Sequence, residues 1–202
     1  MASARRNFIS GGNASTGSPS ISNDQAFNTE FDAGNFDVLV IESSRALLPA
    51  GVRQRTLDWL AGGGKIIFSY WDLDGDAALR TALDVDVLAS YDTPLPVVSD
   101  PAAVLDIFTA IEDVPDPIAL TDPMIDDGDE LELEDQGDVL ARYGDGNGSA
   151  AVLRTNGGNA ITLGFLPIGM VFEGVADADN DGKGDVTELY TNLLGAICNR
   201  IP

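Results

Sequence analysis

The sequence predicts one α/β domain built as a three-layer sandwich, with a mostly parallel sheet and added antiparallel hairpin strands. Three observations carry this expectation. Two continuous apolar runs, Phe36-Asp-Val-Leu-Val-Ile-Glu42 and Lys65-Ile-Ile-Phe-Ser-Tyr-Trp71, have the composition of strands buried on both faces. An amphipathic stretch between them completes a βαβ unit, which joins its strands in parallel. Toward the C-terminus, short apolar runs are separated by Asp145-Gly-Asn-Gly148 and Asn156-Gly-Gly158, the turn chemistry of hairpins.

The elements follow in chain order. Residues 1–35 read as a loosely ordered N-terminal arm, because Ser10 to Asn35 is rich in Gly, Ser, Asn and Thr with only scattered Ile21, Phe27 and Phe31. Residues 36–202 read as the single domain. Pro49 opens a helix to about Ala61, with Val52, Leu57 and Leu60 inward and Gly62-Gly63-Gly64 ending it. A short helix is expected over Asp76 to Leu83, and another over Pro101 to Ile111 with Val104, Leu105, Phe108 and Ile111 inward. Pro94 and Pro96 argue against a central strand in Val85 to Asp100, and three prolines make Pro115 to Gly128 irregular. Glu130-Leu-Glu-Leu-Glu134 alternates with period two and reads as a solvated edge strand guarded by charge. Strands then follow over Val139 to Tyr143, Ala150 to Thr155 and Ala160 to Phe165, and a last helix over Val186 to about Arg200.

Composition narrows the function. Of 202 residues, 33 are acidic and 11 basic, a formal net charge of −22. That surface repels phosphate backbones and anionic lipid, so neither nucleic acid nor membrane insertion is expected, and it attracts cations. Its two lysines, Lys65 and Lys183, suit a salty habitat or an exported protein. The absence of histidine removes Ser–His–Asp and Cys–His catalysis and histidine-ligated zinc. The single cysteine, Cys198, excludes an internal disulfide and lies at helical spacing with Tyr190, Leu194, Ile197 and Ile201, as a packing residue does. Met1 to Ser10 carries Arg5 and Arg6 but no apolar core of a signal peptide.

The segment richest in chemistry is Asp177-Ala-Asp179-Asn-Asp181-Gly182-Lys183-Gly-Asp185-Val-Thr-Glu188. Counted from Asp177, carboxylates stand at positions 1, 3, 5, 9 and 12 and glycine at 6, the pattern of an EF-hand calcium loop. Calcium takes six to eight oxygens in a flexible shell. Asp177, Asp179 and Asp181 would supply carboxylates, Lys183 its carbonyl, Asp185 a water-mediated contact and Glu188 a bidentate clamp. A turn with Asp185 and Glu188 capping the helix is the simpler alternative, but five carboxylates this close repel one another without a cation. Residue 184, where paired EF-hands place a branched apolar side chain, is glycine, and Gly164 to Gly174 reads as strand and turn. The expectation is therefore a lone structural loop and not a sensor.

Phe36 to Glu42, the helix from Pro49 to Ala61 with its triple-glycine end, and Lys65 to Trp71 resemble the class I glutamine amidotransferase-like domain, a flavodoxin-like fold. The run from Val139 through Ser149 to Phe165 is similar to the strands closing that domain in its non-amidotransferase branches. These include domains attached to secreted or surface enzymes and the trimerisation domain of some β-galactosidases. Active members carry a nucleophilic cysteine on the turn after the strand matching Lys65 to Tyr70, and later a histidine and a glutamate. Here the turn reads Ser69-Tyr70-Trp71-Asp72 and no histidine exists, so the resemblance implies the scaffold without the chemistry. The family's first strand and helix have no clear match in the N-terminal arm: either Asn7-Phe8-Ile9 is a remnant of that strand or the arm is remodelled.

Asp72-Leu-Asp74-Gly-Asp76 follows a buried strand at the carboxyl edge where open α/β sheets bind ligands, with Glu42 and Ser43 at the neighbouring strand's end. Glu42, Asp72 and Asp74 are thus candidates for a carboxylate hydrolase, on glycans if Trp71 stacks on a sugar. An acidic turn capping the helix from Asp76 is the preferred reading. Asn13-Ala-Ser15 and Asn147-Gly-Ser149 match the glycosylation acceptor pattern. Together these features point to a non-catalytic, calcium-stabilised domain of an exported or cell-surface protein, engaged in assembly or adhesion through a protein partner or self-association. The glycan hydrolase is the alternative.

Overall fold

The computed structural model describes residues 8–11, 24–34, 36–44, 47–91, 95–122, 128–170 and 177–199. The expected βαβ unit is present: β2 (Val38–Ser43), α2 (Ala50–Ala61) and β3 (Lys65–Tyr70), with β2 and β3 parallel from Val38 opposite Lys65 to Ser43 opposite Tyr70. Pro49 precedes the first turn of α2, where a missing N–H costs nothing. At its other end the Trp59 indole donates to the Lys65 carbonyl (2.9 Å) and lies where a side chain at residue 64 would project, which requires Gly64.

The sheet grows outward from this pair. A strand β1 (Phe8–Gly11) lies parallel to β2, with Phe8 opposite Val40. On the other edge of β3 lies β9 (Ala160–Leu163), also parallel, and beyond it β8 (Ala150–Thr155), antiparallel to β9. Further antiparallel pairings add β7 (Asp138–Tyr143) and β6 (Gly128–Leu133) to β8, β5 (Val97–Ser99) to β7 and β4 (Val85–Tyr91) to β6. The nine strands among the described residues form one sheet, a parallel half extended by antiparallel strands.

Alternation along each strand divides the core into two. Leu39, Ile41, Ile66, Phe68 and Ala160 face α1 (Asp24–Ala33), α2 and α3 (Ala77–Leu83). Val40, Ile67, Ile161 and Leu163 face α4 (Asp185–Ile197) and the irregular segment around Ile107, Phe108 and Ile118. The result is the expected three-layer α/β sandwich. No helix among the described residues is long and apolar enough to cross a membrane.

Three expectations change. Within the N-terminal arm, residues 24–33 form a helix, because Phe27 is buried and Phe31 packs against Phe36 and Trp59. Residues 101–111 are turns and bends, with Val104 and Ile111 exposed. There the Asp100 carboxylate accepts from the Ala102 N–H, and Asp106 accepts from the Phe108 and Thr109 N–H groups, local bonds that compete with a helix. Finally, β6 is an inner strand. It is flanked by β4 and β8, and Asp129 is buried with the Ser90 hydroxyl donating to it. The Asp126-Asp127 start of that acidic run, Ile201, Asn13 and the segment 171–176 lie outside the described residues.

Candidate metal centre

The acidic loop between residue 177 and α4 is shaped by its own side chains. Asp177 Oδ1 and Asp179 Oδ1 each accept the Asp181 N–H at 3.1 Å, and Asp177 Oδ2 accepts the Gly182 N–H at 3.0 Å. The Lys183 N–H donates to Asp181 Oδ1 at 2.7 Å. These bonds draw the chain into a curl that turns the carboxylates toward a common centre. Gly182 stands at φ +91°, in the left-handed region that glycine enters without strain. One oxygen each from Asp177, Asp179 and Asp181 lie within 4.8 Å of one another.

Glu188 closes the loop from the first turn of α4. Its side chain is 1% exposed, and among the described residues neither carboxylate oxygen has a hydrogen-bond donor. Burial first, then the charges of Asp179, Asp181, Asp185 and Glu112, raise its pKa to about 7. A buried carboxylate with no donor and four acidic neighbours needs either a proton or a cation.

One member of the set was not legible in the sequence. Oxygens of Glu112, Asp181 and Glu188 also lie within 4.8 Å of one another, so Asp181 is shared by two acidic groups. Glu112 is brought there by Asn192, which is fully buried on α4, one turn beyond Glu188. Asn192 Oδ1 accepts the Ile111 and Glu112 N–H groups at 3.2 and 3.0 Å, while its Nδ2 donates to the Ile107 and Glu112 carbonyls at 3.0 and 2.8 Å. Every donor and acceptor of that amide is thereby used to hold one loop.

Two expected ligands also make contacts that the spacing does not predict. Lys183 enters the site through its ammonium, which pairs with Glu112 and lies 3.3 Å from Asp181. Hydrogen bonding to Glu112 raises the lysine's pKa, and the Lys183 N–H, followed by its ammonium, lowers that of Asp181. Asp185 is buried, and its Oδ1 accepts the Ala178 N–H at 3.0 Å, tying the start of the loop to the start of α4. The expected donors are all oxygens, five carboxylates and the Lys183 carbonyl, which fits a hard divalent cation of calcium's kind and not a soft metal.

In the second candidate cluster, Glu42 has partners of its own. Glu42 points to the α4 side, where Oε2 accepts the Tyr190 hydroxyl at 2.8 Å and Oε1 accepts the Ile168 N–H at 2.7 Å. Burial raises its pKa against those two bonds. Asp72 is half-buried, its charge bears on Tyr70, and burial with the charges of Asp74 and Asp76 raises its pKa. Asp74 is exposed. No hydrogen bond joins Glu42 to Asp72 or Asp74 among the described residues. Asp76 takes the capping role expected of it: it accepts the Leu79 N–H at 3.1 Å and two bonds from Arg53 at 2.5 and 2.7 Å. Cys198 is half-buried against the α4 core.

No family model and no curated relative matches the chain. Among solved structures it is similar to the exo-β-1,4-mannosidase Op5Man5 from Opitutaceae bacterium strain TAV5, at 14% identity and a TM-score of 0.43. That similarity covers 65% of this chain and 21% of the mannosidase, so the chain spans about a fifth of that protein's length.

Proposed function

We propose that the loop from Asp177 to Glu188 binds calcium, and that the chain is a non-catalytic, calcium-stabilised structural or interaction domain of an exported or cell-surface protein. The observation that carries this is Glu188: both of its oxygens are buried without a donor, and one lies within 4.8 Å of an oxygen of Asp181, which is itself grouped with Asp177 and Asp179. Asp177, Asp179, Asp181, the Lys183 carbonyl and Glu188 would hold the ion, with Asp185 bracing the loop and reaching the ion through water. Bound calcium would supply the positive charge that this carboxylate cluster lacks. Because Glu188 belongs to α4, the ion would fasten that helix, and with it one face of the sheet, to the loop. Extracellular calcium, at roughly millimolar levels, would fill a site of even modest affinity.

Assembly or adhesion follows as the role of such a domain, with a protein partner or a second copy as its counterpart. The amidotransferase-like resemblance supplies the scaffold alone, since the chain has no histidine and Ser69-Tyr70-Trp71 stands at the nucleophile's turn. A glycan hydrolase on Glu42, Asp72 and Asp74 is the weaker reading, because both oxygens of Glu42 are engaged, by Tyr190 and Ile168. Thermal melting with and without EGTA tests the calcium site, and an unchanged melting temperature would remove it.

A further inference from the structure

We infer that Glu112 is an additional ligand of the cation, and that the Lys183 ammonium occupies its place in the metal-free protein. This rests on the calcium site proposed above. Four observations converge on it. An oxygen of Glu112 lies within 4.8 Å of oxygens of both Asp181 and Glu188. Glu188 is 1% exposed, both of its oxygens lack a donor among the described residues, and one of them belongs to this group. The Lys183 ammonium bridges Glu112 and Asp181, making it the only basic side chain among the described residues paired within the cluster. Asn192 holds the backbone of Glu112 with four hydrogen bonds, so the carboxylate is delivered by a fixed support and does not wander in from a loose loop.

The electrostatics then run in one direction. A single ammonium offsets one of several negative charges and leaves Glu188 without a donor. A divalent cation near Asp181 repels the ammonium and takes over the carboxylates it held, Glu112 included. Lys183 leaves for solvent, which its half-exposed position allows. Two consequences follow. Calcium links the segment around residue 112 to α4 and to the loop, joining parts of the chain that lie far apart in sequence. Lys183 acts as a built-in competitor that weakens affinity and suits the site to calcium-rich surroundings.

The experiment uses the full chain. Calcium is titrated calorimetrically into the wild type, Glu112→Ala and Lys183→Met, with Asp179→Asn as a control for the loop itself. The number of waters on bound Eu3+ is read from luminescence lifetimes in H2O and D2O. Glu112→Ala should weaken calcium about tenfold and add about one or two waters to the bound Eu3+, as loss of a directly bound carboxylate requires. Lys183→Met should tighten calcium severalfold. Melting in EGTA shows whether each variant is folded. Unchanged affinity and hydration in a folded Glu112→Ala would overturn the inference while leaving the loop site intact. Failure of the wild type to bind either ion would overturn both.

Discussion

Chelating calcium should lower the melting temperature of this protein by several degrees. A ligand that binds only the folded state stabilises it by RT ln(1 + [L]/Kd), about 2.7 kcal/mol when the ion is a hundredfold above its Kd. For a domain of this size each kcal/mol moves the melting temperature by about 2–4 °C, so the expected gap between saturating calcium and EGTA is about 5–11 °C. The gap should also depend on pH in a direction set by Glu188. Its folded pKa, about 7, lies above its ordinary value of 4.5. In the metal-free protein this group therefore contributes stability below about pH 4.5 that is lost as pH rises through about 7. Calcium replaces the proton, so the calcium-induced shift should widen across that window. Differential scanning calorimetry from pH 5 to pH 8, with calcium or with EGTA, reads both effects. Melting temperatures that coincide at pH 8 would refute the account, because there the carboxylates are ionised and the need for a cation is greatest.

Glu188→Gln should raise the melting temperature in EGTA at pH 8, since it removes a buried charge, and should abolish the response to calcium; a mutant less stable in EGTA with an intact calcium shift would contradict the assigned role. Asn192→Ala removes four hydrogen bonds and should cost about 2–4 kcal/mol by urea unfolding, with the amides of Ile111 and Glu112 losing hydrogen-exchange protection first. Asp76→Ala removes the α3 cap and the Arg53 pair and should cost about 1–2 kcal/mol near neutral pH. Arg53 holds the Asp76 pKa below its ordinary 3.8, so this contribution is present above that pH and is lost as pH falls through the lower folded value. The difference between wild type and Asp76→Ala should therefore shrink in acid.

Local rules were enough where local forces dominate. The runs at residues 36–42 and 65–71 are apolar on both faces, and only a central strand uses such a pattern, so β2 and β3 were legible. Gly-rich turns marked the hairpin from β7 through β9 for the same kind of reason. Where two local signals compete, the pattern misleads. Residues 101–111 carry helical spacing, yet Asp100 and Asp106 bond neighbouring N–H groups and the segment stays irregular. The N-terminal helix was hidden because its stability comes from Phe27 and Phe31 against Trp59 and Phe36, contacts that its polar sequence does not advertise.

The same division runs through the candidate site. Spacing alone determines that Asp177, Asp179 and Asp181 meet, since a tight curl with Gly182 at its bend leaves them no other arrangement. Only the tertiary structure decides that Glu188 is buried without a donor, that Asn192 carries Glu112 to its side, and that Lys183 turns its ammonium between the acids. Those contacts join residues far apart along the chain, and a single acid in a sequence with 33 of them bears no mark of the partner it will meet. What the sequence holds is the ring of local bonds. What the fold adds is the low-water wall behind it, which makes the charge of that ring a demand for a cation.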